Sequence, residues 1–369
     1  MLKDTVKSFL GGIKSNRIGS VKVKQKLLII ESDDWGAIRT PSKEALMAFQ
    51  KNGSKLDKSL YKVDALASKT DLESLFDLLL SIKNAEGMHP IITANSIMAN
   101  PDFNKIRESD FKNYFFETFH ETFKKYPEHQ GNLEIWKKGI KTVVFKPQFH
   151  GREHLNINRW LLALQNNNDK VHLSFDWRTT FSGQEDYAFM EAYDWNSASE
   201  VEEHKKIIIK GLTLFEEVFG YKSSSFIAPC YIWDSGLEST LAQQGITCLQ
   251  GIGSQMAPTG TFNNYKSIKH YFGERNSFGS YYNIRNVFFE PALNPKKDWV
   301  DSAMARIQVA FLYNKPAVIS SHRVNYVGYI DSKNRDIGLG QLKKLLERVV
   351  ERWPDVNFIS TDQLKNYIT

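Results

Sequence analysis

Asp33 and Asp34 stand side by side where an apolar run ends: residues 26–30 (KLLII) lead directly into Glu31-Ser32-Asp33-Asp34-Trp35-Gly36. Two adjacent carboxylates repel unless one holds a proton or a cation lies between them, so a metal site or a proton-transfer site removes the cost. Taken alone, the pair equally suits a solvated turn that ends a strand. A second group, Phe149-His150-Gly151-Arg152-Glu153-His154, follows the apolar stretch 142–145 and precedes a helical pattern over 156–164. If the segment is already turning into helix, His150 and His154 at i and i+4 share a face and can bind one ion. One acid with two imidazoles is a facial triad with open positions, the set that suits a catalytic divalent transition metal. The third group is residues 317–323, where a β-rich run ends on His322. A histidine there can be a plain hydrogen-bonding residue or a general acid.

The three groups sit in one kind of place, the carboxyl end of an apolar run. Strand patterns fall at 26–31, 90–95, 142–145, 172–176, 224–228, 247–251, 287–290, 316–320 and 357–360, and helical periodicity at 71–82, 111–126, 198–219, 298–313 and 340–353. A Thr70 or Asp71 cap opens the first of these helices. Strand and helix alternate, which reads as an α/β parallel-strand barrel. In such folds the carboxyl ends of the strands converge on one face, so residues more than a hundred positions apart can share a site.

The order of acid pair, His-x-x-x-His, Pro-containing strand end and late histidine resembles the polysaccharide deacetylase family, the NodB-homology carbohydrate esterases (family 4-like), over about residues 26–369. The resemblance implies a distorted (β/α) barrel of seven or eight strands. It makes Asp33 the general base, Asp34, His150 and His154 the metal ligands, and His322 the acid that protonates the leaving amine. The chemistry is coherent in itself. An amide carbonyl resists neutral water, and a bound divalent metal polarises the carbonyl and brings the pKa of a coordinated water from about 15.7 towards 7. Zinc is the first expectation for the metal, with nickel, cobalt and iron also tolerated by this ligand set.

The chain departs from the family pattern in two places. Trp35 is inserted between the acid pair and Gly36, which puts an indole beside the ligand and implies an altered pocket wall. The family's Arg-x-Pro-Tyr motif is here Ile227-Ala228-Pro229-Cys230-Tyr231, without its arginine, which normally steadies the catalytic acid. Arg39, Arg152 and Arg323 are the candidates to replace it, and a backbone N–H near Cys230 or Tyr231 is the candidate oxyanion donor. Asp176-Trp177 and Asp194-Trp195 are candidates for the family's aspartate-tryptophan motif. Substrate contact is expected of Trp35, Arg152, Pro229, Tyr231, Trp233, Arg323, Asn325 and Tyr326. These suit a carbohydrate, whose C–H faces pack on rings while its hydroxyls need polar partners.

The expected activity is therefore removal of an acetyl group, N-acetyl before O-acetyl, from a carbohydrate or glycan intermediate. The alternatives are a non-catalytic glycan-binding protein on the same scaffold, or a glycosidase on a related barrel, which would need two carboxylates flanking the scissile bond. The 369 residues, 41% hydrophobic and 24% charged, fit one barrel domain over 26–369 with a long irregular insertion at 253–285, after a basic extension over 1–25. That insertion carries Tyr265, Tyr271, Phe272, Phe278, Tyr281 and Tyr282, which can pack the loop or stack on sugar. Cys230 and Cys248 are too few for a disulfide framework and read as buried thiols. No apolar core of a signal peptide and no 18-residue apolar stretch occurs, which points to the cytoplasm. The net charge of +6 is concentrated early, at Lys3, Lys7, Lys14, Arg17, Lys22, Lys24 and Lys26. Residues 1–14 can form a basic amphipathic turn that meets a membrane surface. No nucleic-acid-binding motif is present.

Overall fold

A computed structural model describes residues 2–51, 61–180 and 189–368. Its strands are β1 (Leu27–Trp35), β2 (Ile92–Ile97), β3 (Ala99–Pro101), β4 (Phe116–Thr118), β5 (Phe145–Gly151), β6 (Ser225–Ile227) and β7 (Cys248–Gly251), then β8 (Ser254–Pro258), β9 (Tyr265–Lys269), β10 (Tyr281–Ile284), β11 (Val287–Phe288), β12 (Ala317–His322) and β13 (Asn357–Phe358). Nine of them form one sheet in the order β10-β7-β6-β5-β2-β1-β12-β11, with β13 pairing the start of β1. Every pairing in it is parallel. β1 is buried from end to end, as its unbroken Leu27-Leu28-Ile29-Ile30 run requires of a strand covered on both faces.

The two ends of this sheet are one piece of chain. β10 pairs with β7 and β11 with β12, yet only Arg285 and Asn286 separate β10 from β11. Arg285 N donates to Gly251 O on one side at 2.8 Å, and Asn286 N donates to Val318 O on the other at 3.2 Å. This bend curls the sheet into a distorted (β/α) barrel. No crossover helix fits between β10 and β11, and helix α1 (Leu2–Asn16) lies over the seam instead. Asn16 Oδ1 accepts from Asn286 Nδ2 at 2.7 Å, Ser8 and Ser302 share a 2.7 Å hydroxyl bond, and a Cβ added at Gly12 would stand 3.1 Å from Val309 Cβ.

Several sequence expectations change. Residues 172–176 lie in the helix Asp169–Asp176, not a strand: Asn168 caps it by accepting from Lys170 and Val171 N–H, and Val171, Ser174 and Phe175 are buried at helical spacing. The pattern over 111–126 resolves into β4 followed by the short helix Phe119–Lys124. The helix Lys69–Ser81 is capped by Ser68, with Asp71 at its third position reaching back to close a capping box. The stretch 253–285 contains the antiparallel hairpin β8–β9 and then β10. Of its aromatics, Phe272, Tyr281 and Tyr282 are buried and Tyr271 and Phe278 exposed. Cys248 is buried, whereas Cys230 lies on an exposed turn; both are free thiols.

Candidate metal and catalytic site

Register alone brings the first and last motifs together. Asp33 on β1 and His322 on β12 are paired across the parallel ladder, and His322 Nε2 stands 3.8 Å from Asp33 Oδ2. Glu31 and Asp33 are two residues apart on the strand and therefore point the same way. Asp34 would point oppositely, but the register shifts after Ser32 and Asp34 takes φ 72°, a left-handed conformation that is uncommon for a residue with a side chain. The local cost falls where the strand turns the Asp34 carboxylate over its own end.

Asp34, His150 and His154 are all buried, and each can offer an atom lying within 4.8 Å of the others. Asp34 Oδ1 is 3.7 Å from His150 Nε2 and 3.5 Å from His154 Nε2. The two histidines do not share a helical face. His150 is the last residue but one of β5 and His154 follows in the loop before the helix Ile157–Gln165, so the spacing works through a bend at Gly151, φ 135°. A Cβ at Gly151 would sit 3.0 Å from Glu153 O. His150 Nδ1 bonds Ile227 O at 2.9 Å, which places a proton on Nδ1, and the buried Nε2 has no hydrogen-bond partner. His154 is held well below the ordinary imidazole range by burial and by the nearby Arg39 guanidinium, which makes it a neutral donor. A carboxylate held well below its ordinary range, against burial, by Arg39 completes the set. These donors fit a divalent transition metal in chemistry.

Asp33 has a different set of partners. Arg285 donates from Nη1 to Asp33 Oδ2 and from Nη2 to Asp33 Oδ1, both at 2.6 Å, and from Nε to Glu31 Oε2 at 2.7 Å. Burial alone would raise the Asp33 carboxyl; the guanidinium overrides it and lowers it far below its usual range. Asn95 Nδ2 adds a 2.7 Å bond to Asp33. Glu31, fully buried, accepts in addition from Asn283 Nδ2 and Thr361 Oγ1, each at 2.8 Å. The arginine that steadies Asp33 is therefore Arg285, from the seam. The three sequence candidates point elsewhere: Arg39 pairs with Asp34 at 3.1 Å, Arg152 with Glu153, and Arg323 with Asp64 and Ala37 O.

His322 is fixed by Glu290, whose Oε1 lies 2.7 Å from Nδ1; Asn325 Nδ2 donates to Glu290 Oε2 at 2.7 Å. Burial pulls the imidazole down, but the Glu290, Asp33 and Asp34 carboxylates outweigh it and raise it to about 10. Glu290 follows β11 at a strand's carboxyl end and was detectable by the same placement rule as the other groups. Glu31 was detectable as an acid in phase with Asp33. Nothing local marks Arg285.

The eight expected substrate contacts divide. Trp35 is 1% exposed and packs in the core edge-on to Phe145 and Trp136, so it forms no pocket wall. Arg323, Asn325 and Tyr326 are equally buried and serve their neighbours, Tyr326 through Ser321 at 2.7 Å. Pro229 is buried, Trp233 is buried with its indole N–H on Glu238, and Arg152 lies over the Phe116 ring. Tyr231 is half-buried and its hydroxyl accepts from Arg285 at 3.2 Å, beside the acids. Cys230 and Tyr231 both have positive φ, and Tyr231 N–H is bonded to Ala228 O. Asp176 pairs with Arg107, and Asp194 with Arg159 and the Tyr265 hydroxyl, both apart from the acid cluster.

Fold and site together define a parallel-barrel protein with an Asp-His-His metal-type site beside an arginine-clamped aspartate and a carboxylate-bound histidine. No family model matches the chain, and no curated protein matches it. Solved structures of similar fold include a provisionally assigned polysaccharide deacetylase from Mycobacterium smegmatis, at 9% identity over 95% of this chain and 94% of that one, TM-score 0.47. The peptidoglycan deacetylase PdaC from Bacillus subtilis is similar at 11% identity over 93% and 92%, TM-score 0.35. A carbohydrate esterase 4 pseudoenzyme from Bacillus anthracis is similar at 10% identity over 92% and 66%, TM-score 0.36. The overlaps are loose, and the functional argument rests on the site. No helix of the described residues is long and apolar enough to cross a membrane.

Proposed function

We propose that this chain is a metal-dependent hydrolase that removes an acetyl group, N-acetyl foremost, from a carbohydrate. The observation that carries the reading is the division of labour between adjacent acids: Asp34 faces the Nε2 atoms of two buried imidazoles, while Asp33 is clamped by Arg285 and faces His322. Asp34, His150 and His154 hold the ion, zinc first, which when bound supplies a Lewis acid and lowers the pKa of its water. Asp33, kept ionised by Arg285, takes the proton of the attacking water. His322, kept protonated by Glu290, gives one to the leaving nitrogen. Donation by a backbone N–H at the Cys230 turn would stabilise the oxyanion.

The test is elemental analysis of wild type against Asp34→Ala and Asp33→Asn, followed by assay of acetate release from N-acetylated saccharides. Metal lost in Asp34→Ala and retained in Asp33→Asn, with turnover lost in both, is the expected pattern. Metal bound by wild type without acetate release from any acetylated sugar would favour the glycan-binding reading, and loss of metal in Asp33→Asn would break the assignment of roles.

A further inference from the structure

The seam helix α1 has a second face that the barrel does not use. Its inner side, Ser8, Gly12 and Asn16, is buried against the helix Trp299–Leu312 and the β10–β11 bend. At 100° per residue, Val6, Lys7, Leu10, Lys14 and Arg17 fall on the opposite side. All five are exposed, Leu10 at 59% and Val6 at 52%. This outer face holds no acid; Asp4 lies on the flank. The helix ends beside a cavity of about 350 Å³ whose lining includes Lys14, Arg17, Ile18, Lys269, His270 and Tyr271. Among the described residues, Lys7, Lys14, Arg17 and Lys269 form no ion pair. Ile18 and Tyr271 are themselves exposed at the rim, and exposed Lys22 and Lys24 follow.

We propose that the outer face of α1 docks on an anionic lipid surface, with the Lys14–Arg17–Lys269 cavity receiving a lipid headgroup phosphate. Charge complementarity selects a polyanion, and the aliphatic side chains select among polyanions. A nucleic acid or an acidic glycan needs the cations but gains nothing from Val6, Leu10 and Ile18 projecting between them. A bilayer interface uses both, burying short aliphatics at the headgroup boundary while the cations meet phosphate. The cavity also has Arg285 in its lining, which the acid cluster holds, but the docking cations are Lys14, Arg17 and Lys269 and the readout is vesicle binding, so the inference does not depend on the activity proposed above.

The experiment is co-sedimentation of the full chain with phosphatidylglycerol/phosphatidylcholine vesicles and with pure phosphatidylcholine vesicles, at low and at 0.5 M salt. Binding to the anionic vesicles alone, reduced by salt, is expected. The triple variant Lys7→Glu, Lys14→Glu, Arg17→Glu should lose about tenfold or more of it. Val6→Ser with Leu10→Ser, which changes no charge, should lose several-fold. Because all five positions are exposed, an unchanged thermal melt establishes that the variants fold. Absence of binding by folded wild type overturns the proposal. So does binding unchanged in either variant, or binding to heparin or DNA as tight as to vesicles.

Discussion

Asp33 and Asp34 are covalent neighbours with nearly identical burial, and they live in two different electrostatic regions. Below Asp33 lies a closed polar cluster in which one guanidinium serves two carboxylates and every partner is a side chain of the barrel: Arg285, Glu31, Asn95, Asn283 and Thr361. Around Asp34 the set is unfinished. One arginine touches it, and two imidazole nitrogens face it at 3.5 and 3.7 Å, longer than hydrogen bonds. The difference teaches what each acid is built for. Asp33 is kept ionised by its guanidinium and still presents Oδ2 to His322 Nε2 at 3.8 Å, where it can take a proton, whereas Asp34 faces two imidazole nitrogens at a spacing that suits a shared cation. The left-handed turn at Asp34 divides the two regions.

The hardest break is Arg285→Met. It leaves Glu31 and Asp33 buried together without their cation, a loss of about 3–5 kcal/mol, read as a drop in denaturant midpoint. A loss below about 1 kcal/mol would mean that Glu31 simply takes up a proton, towards which burial already pushes it. Next in size are Asp34→Ala, His150→Ala and His154→Ala, each expected to abolish metal retention after gel filtration; the two histidine variants leave the melt of the metal-free protein nearly unchanged, whereas Asp34→Ala also lowers it by leaving buried Arg39 only the Asp64 carboxylate, at 3.8 Å. The Glu31–Arg285 cluster does not contact these side chains.

The asymmetry explains what could be read from the chain. The cation-facing region is carried by residues adjacent in sequence or four apart, each following an apolar run, so strand placement and residue type revealed Asp34, His150, His154 and His322. The clamp is carried by long-range partners. Arg285 is 252 residues from Asp33 and lies in a bend where the barrel closes, at the end of a stretch whose Gly, Asn and Ser content hides the strand before it, β10. Only pairing in three dimensions reveals that β10 and β11 belong to opposite ends of one sheet. Burial was also illegible: Trp35, Arg323 and Tyr326 flank the motifs in sequence, yet their side chains point into the core. The helix Asp169–Asp176 was misread because an isolated Leu-x-Phe alternation looks like a strand until the Asn168 cap is seen.

A smaller effect sharpens the role of the seam. In metal-free protein His322 should titrate near pH 10 by NMR, since Glu290 holds its Nδ1 proton. The sign follows from a raised pKa: the protonated imidazole stabilises the fold fully below its unfolded pKa, about 6.5, and this contribution fades as pH rises through about 10. Glu290→Gln should bring the titration down by about a unit or more. An unmoved midpoint would assign the shift to the two aspartates alone.

The smallest effect separates the two arginines. Arg39 and Arg285 are both buried and both bonded to one of the paired acids, so a survey of ion pairs would treat them alike. Their removal should not be alike. No outside ion can replace Arg285, because its carboxylates are enclosed by barrel side chains. Arg39 stands 3.1 Å from the same Asp34 oxygen that the histidines face, so it repels any cation held there. Arg39→Met should therefore destabilise the metal-free protein, leaving Asp64 to Arg323 alone, and yet tighten metal binding. At an effective dielectric near 20 the repulsion is ample for a gain of about three- to tenfold once solvent and relaxation are allowed for. Calorimetric titration with zinc of the folded variant measures it. Weaker binding would mean that Arg39 chiefly orients Asp34 for the metal, and the two arginines would then both be clamps.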